Sequence, residues 1–223
     1  NANMIISGAF GLFEKKTVIA VGGYDNSTMG EDMELVVRLH EFSRMNRKPY
    51  KIDFAQDAIC WSQTPEKLSE LCKQRKRWQR GLFQCMWGHR KMLANPRYGA
   101  VGLLSYLYFL LYELLSPFIE LLGVLTMVLS VRMDMLNVKF MLVFLACYAL
   151  YGILLTLTAY FSRIYTIDQR VSFRELILAI TACFFETTFL RFYLEFVRVT
   201  AFVGYKKNKL NWDKLERKKM NRI

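Results

Sequence analysis

The chain has no C-x-x-C pair among its five cysteines, and its two histidines, His40 and His89, lie far apart in sequence. A zinc centre needs clustered thiolate or imidazole ligands, so these residues argue against one. Cys60, Cys72, Cys85, Cys147 and Cys183 read instead as reduced, buried thiols. Also lacking is an initiator Met, as is the basic start, short apolar run and small-residue cleavage site of a signal peptide. A chain opening on Asn1-Ala2-Asn3 therefore reads as the continuation of a longer protein. Acidic residues are scarce: 19 Asp and Glu face 31 Lys and Arg, for a net charge of +12.

What is present is unevenly placed. Hydrophobic residues make up 53% of the chain and aromatics 15%. Residues 1–98 mix charged and apolar types as a globular domain does. Residues 99–205 are dominated by Leu, Phe, Tyr, Val and Ile, and 206–223 are polar and basic. Between 140 and 162 no residue is charged, and a helix of that length rises about 34 Å, enough to cross a bilayer's hydrocarbon core. Lys139 and Arg163 flank it. A second span is predicted over 99–131, interrupted by Glu113 and Glu120, which are seven apart and share a helix face. Pro117 should kink it. A charge facing lipid is costly, so that face should meet protein or a wet cavity, as the wall of a substrate path or as a helix–helix contact.

Residues 175–205 contain Glu186, Arg191, Glu195 and Arg198, spaced to pair within one helix or to meet Glu113 and Glu120. The tail from Lys206 carries eight basic and two acidic residues, which predicts a cytoplasmic location. The 163–174 loop is also basic. Two crossings from inside return the chain to the cytoplasm, so 175–205 is expected to be a broken, re-entrant or interfacial element.

In the polar part, residues 6–14 and 50–61 read as strand regions. Thr17–Val21 suggests a short helix stopped by Gly22-Gly23, and Leu35, Val36, Leu39 and Phe42 share one face of a helix after Gly30-Glu31-Asp32. This order fits the latter part of an α/β domain. The next helix is predicted to open on Thr64 as N-cap, with Pro65 at its first position and Glu66 at the positive end of its dipole. Its basic residues and its Trp78, Phe83 and Trp87 suit a membrane surface, with Arg75, Lys76 and Arg80 on headgroups.

Gly30-Glu31-Asp32 alone is an ordinary acidic helix start, and Gln74-Arg75-Lys76-Arg77-Trp78 alone could be membrane-facing charge. Together, ahead of membrane spans, they resemble the processive membrane glycosyltransferases of family 2, the group of cellulose, hyaluronan, chitin and poly-N-acetylglucosamine synthases. Ser7-Gly8, Gly23-Tyr24-Asp25, Cys60-Trp61 and Pro65-Glu66 extend the resemblance, which covers about residues 1–130. It implies the C-terminal part of a GT-A type α/β transferase domain (1–63), an amphipathic interfacial helix (64–98), transmembrane and membrane-associated helices (99–205) and a basic cytoplasmic tail (206–223).

The resemblance also implies roles. Asp32 would be the base for the acceptor hydroxyl, supported by Glu31. Gln74 and Arg77 would contact the donor diphosphate, and Trp78, Ser7 and Gly8 the acceptor. A planar guanidinium suits phosphate oxygens and a flat indole suits a pyranose face. Trp61 reads as a core residue rather than a ligand contact, and Asp25 as a turn residue after Gly22-Gly23. Further implied are a nucleotide-sugar donor such as a UDP-sugar, a polysaccharide or lipid-linked acceptor, the plasma-membrane bilayer, a possible small partner subunit, and Mg²⁺ or Mn²⁺. The family's Asp-x-Asp metal motif is not in these residues, so no metal ligand is assigned and the piece is expected to be inactive alone. Transfer of one sugar to a lipid carrier, or a non-catalytic membrane protein, are the competing readings. Nucleic-acid binding is not expected, since the basic residues already have a membrane explanation.

Overall fold

The structure, a computed structural model, describes residues 2–6, 8–47, 51–53, 55, 58–167 and 172–205. Among these residues there is no strand, which overturns the expected α/β domain. A strand exists only through its ladder to a neighbour, and neither 6–14 nor 50–61 pairs its described backbone with another extended segment. The start of the chain is held by side chains instead: Met4 is fully buried, and Ser105 Oγ donates to the Ala2 carbonyl at 2.7 Å. Ser7, Tyr50, Phe54 and the tail from Lys206 lie outside the described residues.

Two compact units result, Asn1–Ser116 with the stretch from Val197, and Pro117–Phe196. In the first, α1 (Lys15–Ala20) ends on Gly22 and Gly23, both at positive φ, a conformation that glycine adopts without steric cost. Helix α2 (Glu31–Met45) follows; it buries Leu35, Val36, Val37 and Leu39 and carries Glu31, Asp32 and Glu34 in its first turn. Helix α3 (Leu68–Gly88) starts later than expected. Lys67 is its N-cap in extended conformation, its carbonyl accepting from the Glu70 and Leu71 amides. Thr64 and Pro65 precede the helix, so Glu70 rather than Glu66 sits in the first turn.

Two 3₁₀ turns, Arg90–Met92 and Pro96–Tyr98, lead into a helical run of π turns (Val101–Ser105 and Phe109–Leu114) around α4 (Tyr106–Tyr108). The core of this unit gathers Met4, Met33, Val37, Cys85, Met86, Met92, Tyr98, Val101, Tyr106 and Leu114. Tyr106, buried in it, donates its hydroxyl to the Met86 carbonyl.

The second unit holds α5 (Ser116–Arg132), α6 (Val138–Ile167), α7 (Phe173–Phe185), a π turn (Glu186–Leu190) and the first part of α8 (Arg191–Thr200). Ser172 and Glu175 form a capping box that starts α7. By length and composition, Val138–Ser162 and Phe173–Thr200 can cross a membrane, and Val101–Leu114 with Ser116–Arg132 makes a third if that interrupted pair is one span. The irregularity expected in 175–205 is therefore a π turn within a continuous helical run, not a break. The charges there do reach the earlier segment: Arg191 Nη2 lies 2.7 Å from Glu120 Oε1, and its guanidinium lies over the Tyr148 ring. Of the cysteines, only Cys85 and Cys183 are buried; Cys72 is intermediate, and Cys60 and Cys147 are exposed.

Candidate active site

Asp32 sits in the first turn of α2, and its carboxylate is held on both sides. Oδ1 accepts from its neighbour's amide, Met33, at 2.8 Å, and Oδ2 accepts from the Gly8 amide at 3.2 Å. A Cβ at Gly8 would come 3.0 Å from that same oxygen. Glycine thus lets the 8–11 segment reach the acid. The structure brings Gly8 and Asp32 together; Ser7, beside them in sequence, lies outside the described residues.

The start of α2 rests directly on α3. A Cβ at Gly81 would meet the Gly30 nitrogen at 2.7 Å and its Cα at 2.9 Å, and a Cβ at Gly30 would meet Gly81 backbone at 3.2 Å. One turn along α3, Gln84 Oε1 accepts from the Met29 amide at 2.8 Å and the Thr28 hydroxyl at 3.2 Å. Residues three, four and seven apart share a helix face. Gln74, Arg77 and Trp78 precede Gly81 at those spacings, so they continue along α3 the stripe that carries Gly30-Glu31-Asp32. Trp78 is half exposed, with the Arg75 guanidinium 4.8 Å from its ring centroid. Arg75 thus stacks on the indole, a cation–π contact, where a headgroup contact was expected. Arg80 is a larger departure: it is buried, and its Nε donates to the Ala201 carbonyl at 2.9 Å. Trp61 is exposed, against its reading as core.

Behind this face lies a charged cluster that sequence reasoning missed. Arg38 donates to the Val21 carbonyl at 2.7 Å and to Glu34 Oε2 at 2.7 Å, tying the glycine turn after α1 to α2. Glu34 Oε1 faces His89 Nε2 at 3.3 Å, and His89 Nδ1 lies 2.7 Å from Glu41 Oε2. Burial alone would lower the His89 pKa, but the two carboxylates outweigh it and raise it. The i, i+4 spacing of Glu34 and Arg38 was the one available signal; His89 carried none. Nearby, burial pushes the Cys85 thiol far up, with the Glu34 and Asp32 carboxylates adding to it, which keeps it an inert thiol.

Among the described residues, no group of three or more His, Cys, Asp or Glu is placed to hold a metal ion. A divalent cation of the kind the resemblance implies finds no donor set among the described residues.

Comparison with known proteins adds a family. The family model described as "Glycosyl transferase family group 2" matches residues 2–194. A poly-beta-1,6-N-acetyl-D-glucosamine synthase of Staphylococcus aureus (strain COL) is 37% identical over 90 residues, 40% of this chain. A synthase of the same name from strain N315 matches equally, and one from Staphylococcus epidermidis is 36% identical over 90 residues. The matched stretch is 19% of the length of each of these relatives. No solved structure matches significantly.

Proposed function

The chain belongs to glycosyl transferase family group 2, and from that premise we propose that it carries the acceptor and leaving-group side of a membrane enzyme that transfers a sugar from a nucleotide-sugar donor to a growing polysaccharide. The reaction runs at the inner membrane face with inversion. The acceptor hydroxyl attacks the anomeric carbon as the bond from that carbon to the diphosphate oxygen breaks. Its proton passes to Asp32, and the bonding pair leaves with the nucleotide diphosphate. A carboxylate serves as base because the hydroxyl grows more acidic as the new bond forms. Arg77, with Gln74 one turn before it, offers forked donors to the departing charge. Trp78 offers the acceptor ring the indole face opposite Arg75, and the Gly8 amide keeps Asp32 aimed. Glu31 supports the helix start. A UDP-sugar donor, a divalent cation bound elsewhere in the enzyme, a small partner subunit and a plasma-membrane setting belong to the same reading.

The observation that carries this reading is the Gly30–Gly81 contact. It sets the acidic helix start and the Gln74–Trp78 stripe on adjoining backbone, at a spacing that no longer side chain would permit. Asp32→Asn in the full-length enzyme tests it. The variant should be made and inserted normally, yet incorporate labelled UDP-sugar into polymer at a rate lower by about a hundredfold or more, the usual scale for losing a general base. Incorporation at the wild-type rate refutes Asp32 as base, and a single-sugar lipid product would replace polymer synthesis by lipid glycosylation.

A further inference from the structure

Immediately after Trp78, two polar side chains are buried where an amphipathic surface helix would carry apolar ones. Gln79 is 2% exposed and Arg80 is 9% exposed. Gln79 Nε2 donates to the Leu114 carbonyl at 3.1 Å, and its Oε1 accepts from Arg198 Nε at 2.9 Å. Arg198 Nη2 also donates to the Glu113 carbonyl and lies 3.8 Å from the Glu113 carboxylate. Arg80 Nε reaches the Ala201 carbonyl. The Glu113 acceptor on the π turn has a cause in sequence. Four residues after Glu113 stands Pro117, which has no N–H to return to that carbonyl. An orphan acceptor in an apolar run must find a donor from elsewhere, and Arg198 supplies it.

We propose that Gln79 and Arg198 are positioning residues for the acceptor: they lock the turn of α3 that carries Trp78 to the membrane-entering segment at Glu113–Leu114 and to the end of α8. The inference rests on the reading of Trp78 as acceptor platform. Two consecutive α3 residues bonded to two different segments fix both the rotation of the helix about its axis and its slide along it. Successive helix residues point about 100° apart, so loosening Gln79 would swing the stiff Trp78 ring beside it off the line of the acceptor, while the longer and more flexible Arg77 and Gln74 side chains can re-adjust to follow the donor. A chain end held on a looser platform leaves the enzyme sooner, and the product becomes shorter.

The test uses the full-length enzyme in membranes, with the UDP-sugar that supports wild-type activity, and reads product length at equal donor turnover together with donor KM. Gln79→Leu and Arg198→Met should shorten the polymer severalfold while leaving donor KM within about twofold, since the lost interaction is not with the donor. Arg198→Lys, whose single ammonium has no planar fork to span the Gln79 oxygen and the Glu113 carbonyl together, should fall between; it also decides the matter if Arg198→Met does not accumulate. Trp78→Ala is the companion. If it shortens the product while every Gln79 and Arg198 variant leaves length unchanged, the positioning role is overturned and the acceptor reading stands. If Trp78→Ala leaves length unchanged, both fall. A merely structural role would lower the amount of active enzyme without moving length.

Discussion

A methyl group added at Gly81 would stand 2.7 Å from the Gly30 nitrogen and 3.0 Å from the Met29 carbonyl carbon. An alanine in a helix interior normally stabilises by about 1 kcal/mol relative to glycine, so the sign of the substitution is informative. Gly81→Ala should instead destabilise by roughly 1–3 kcal/mol, the range of core overpacking, as a lowered unfolding temperature in detergent, and in the full-length enzyme it should depress the proposed transfer. Gly30→Ala, whose closest approach is 3.2 Å, should be milder. At this scale the sequence was only partly readable. The acid and the basic motif stand out because their residue types carry chemistry. Gly81 does not, since the requirement it meets belongs to a neighbour 51 positions away in the chain. Arg80 misled for the same reason: its partner is a backbone carbonyl at Ala201, which composition does not reveal.

Among the elements, the long apolar helices were the most legible. A run without charge announces its own solvent, and α6 contains the predicted 140–162. The π turns were not legible, because α-helical periodicity is what a pattern search assumes. In the second unit one of them is also a packing point. A Cβ at Gly152 on α6 would come 2.5 Å from Thr187 Cγ2 in the π turn after α7, and Thr187 is buried, its hydroxyl donating to the Cys183 carbonyl. Small residues let membrane helices approach closely. Gly152→Val should therefore lower the unfolding temperature, and Thr187→Ser in the same chain, which removes the obstructing methyl and keeps the hydroxyl, should recover most of the loss. Failure of the double variant to recover would place the close contact elsewhere. The strand regions failed at this scale for a different reason. Residue types can suggest an extended stretch, but a ladder needs a second backbone, and none pairs with 6–14 or 50–61 among the described residues.

For the molecule as a whole, two histidines work in opposite directions. Burial holds His40 below its ordinary value of 6.5, with Nε2 at 2.7 Å from the Asn3 carbonyl. His89 is raised above 6.5. A lowered folded pKa gives stability that is present above 6.5 and lost as pH falls through the folded value. A raised one gives stability that is complete below 6.5 and lost as pH rises through it. Their sum should peak near pH 6.5, and His89→Gln should flatten the alkaline limb of unfolding temperature against pH while leaving the acid limb in place. An unchanged alkaline limb would mean that His89 is not charged in the folded protein.

The meeting of α2 and α3 has a genetic corollary. Where a side chain obstructs, as at Thr187, a compensating change can trim it. At Gly81 the obstruction is peptide backbone, and backbone cannot be trimmed by substitution. Defects at that crossing should thus be repaired by true revertants alone, and a search for second-site suppressors should return none.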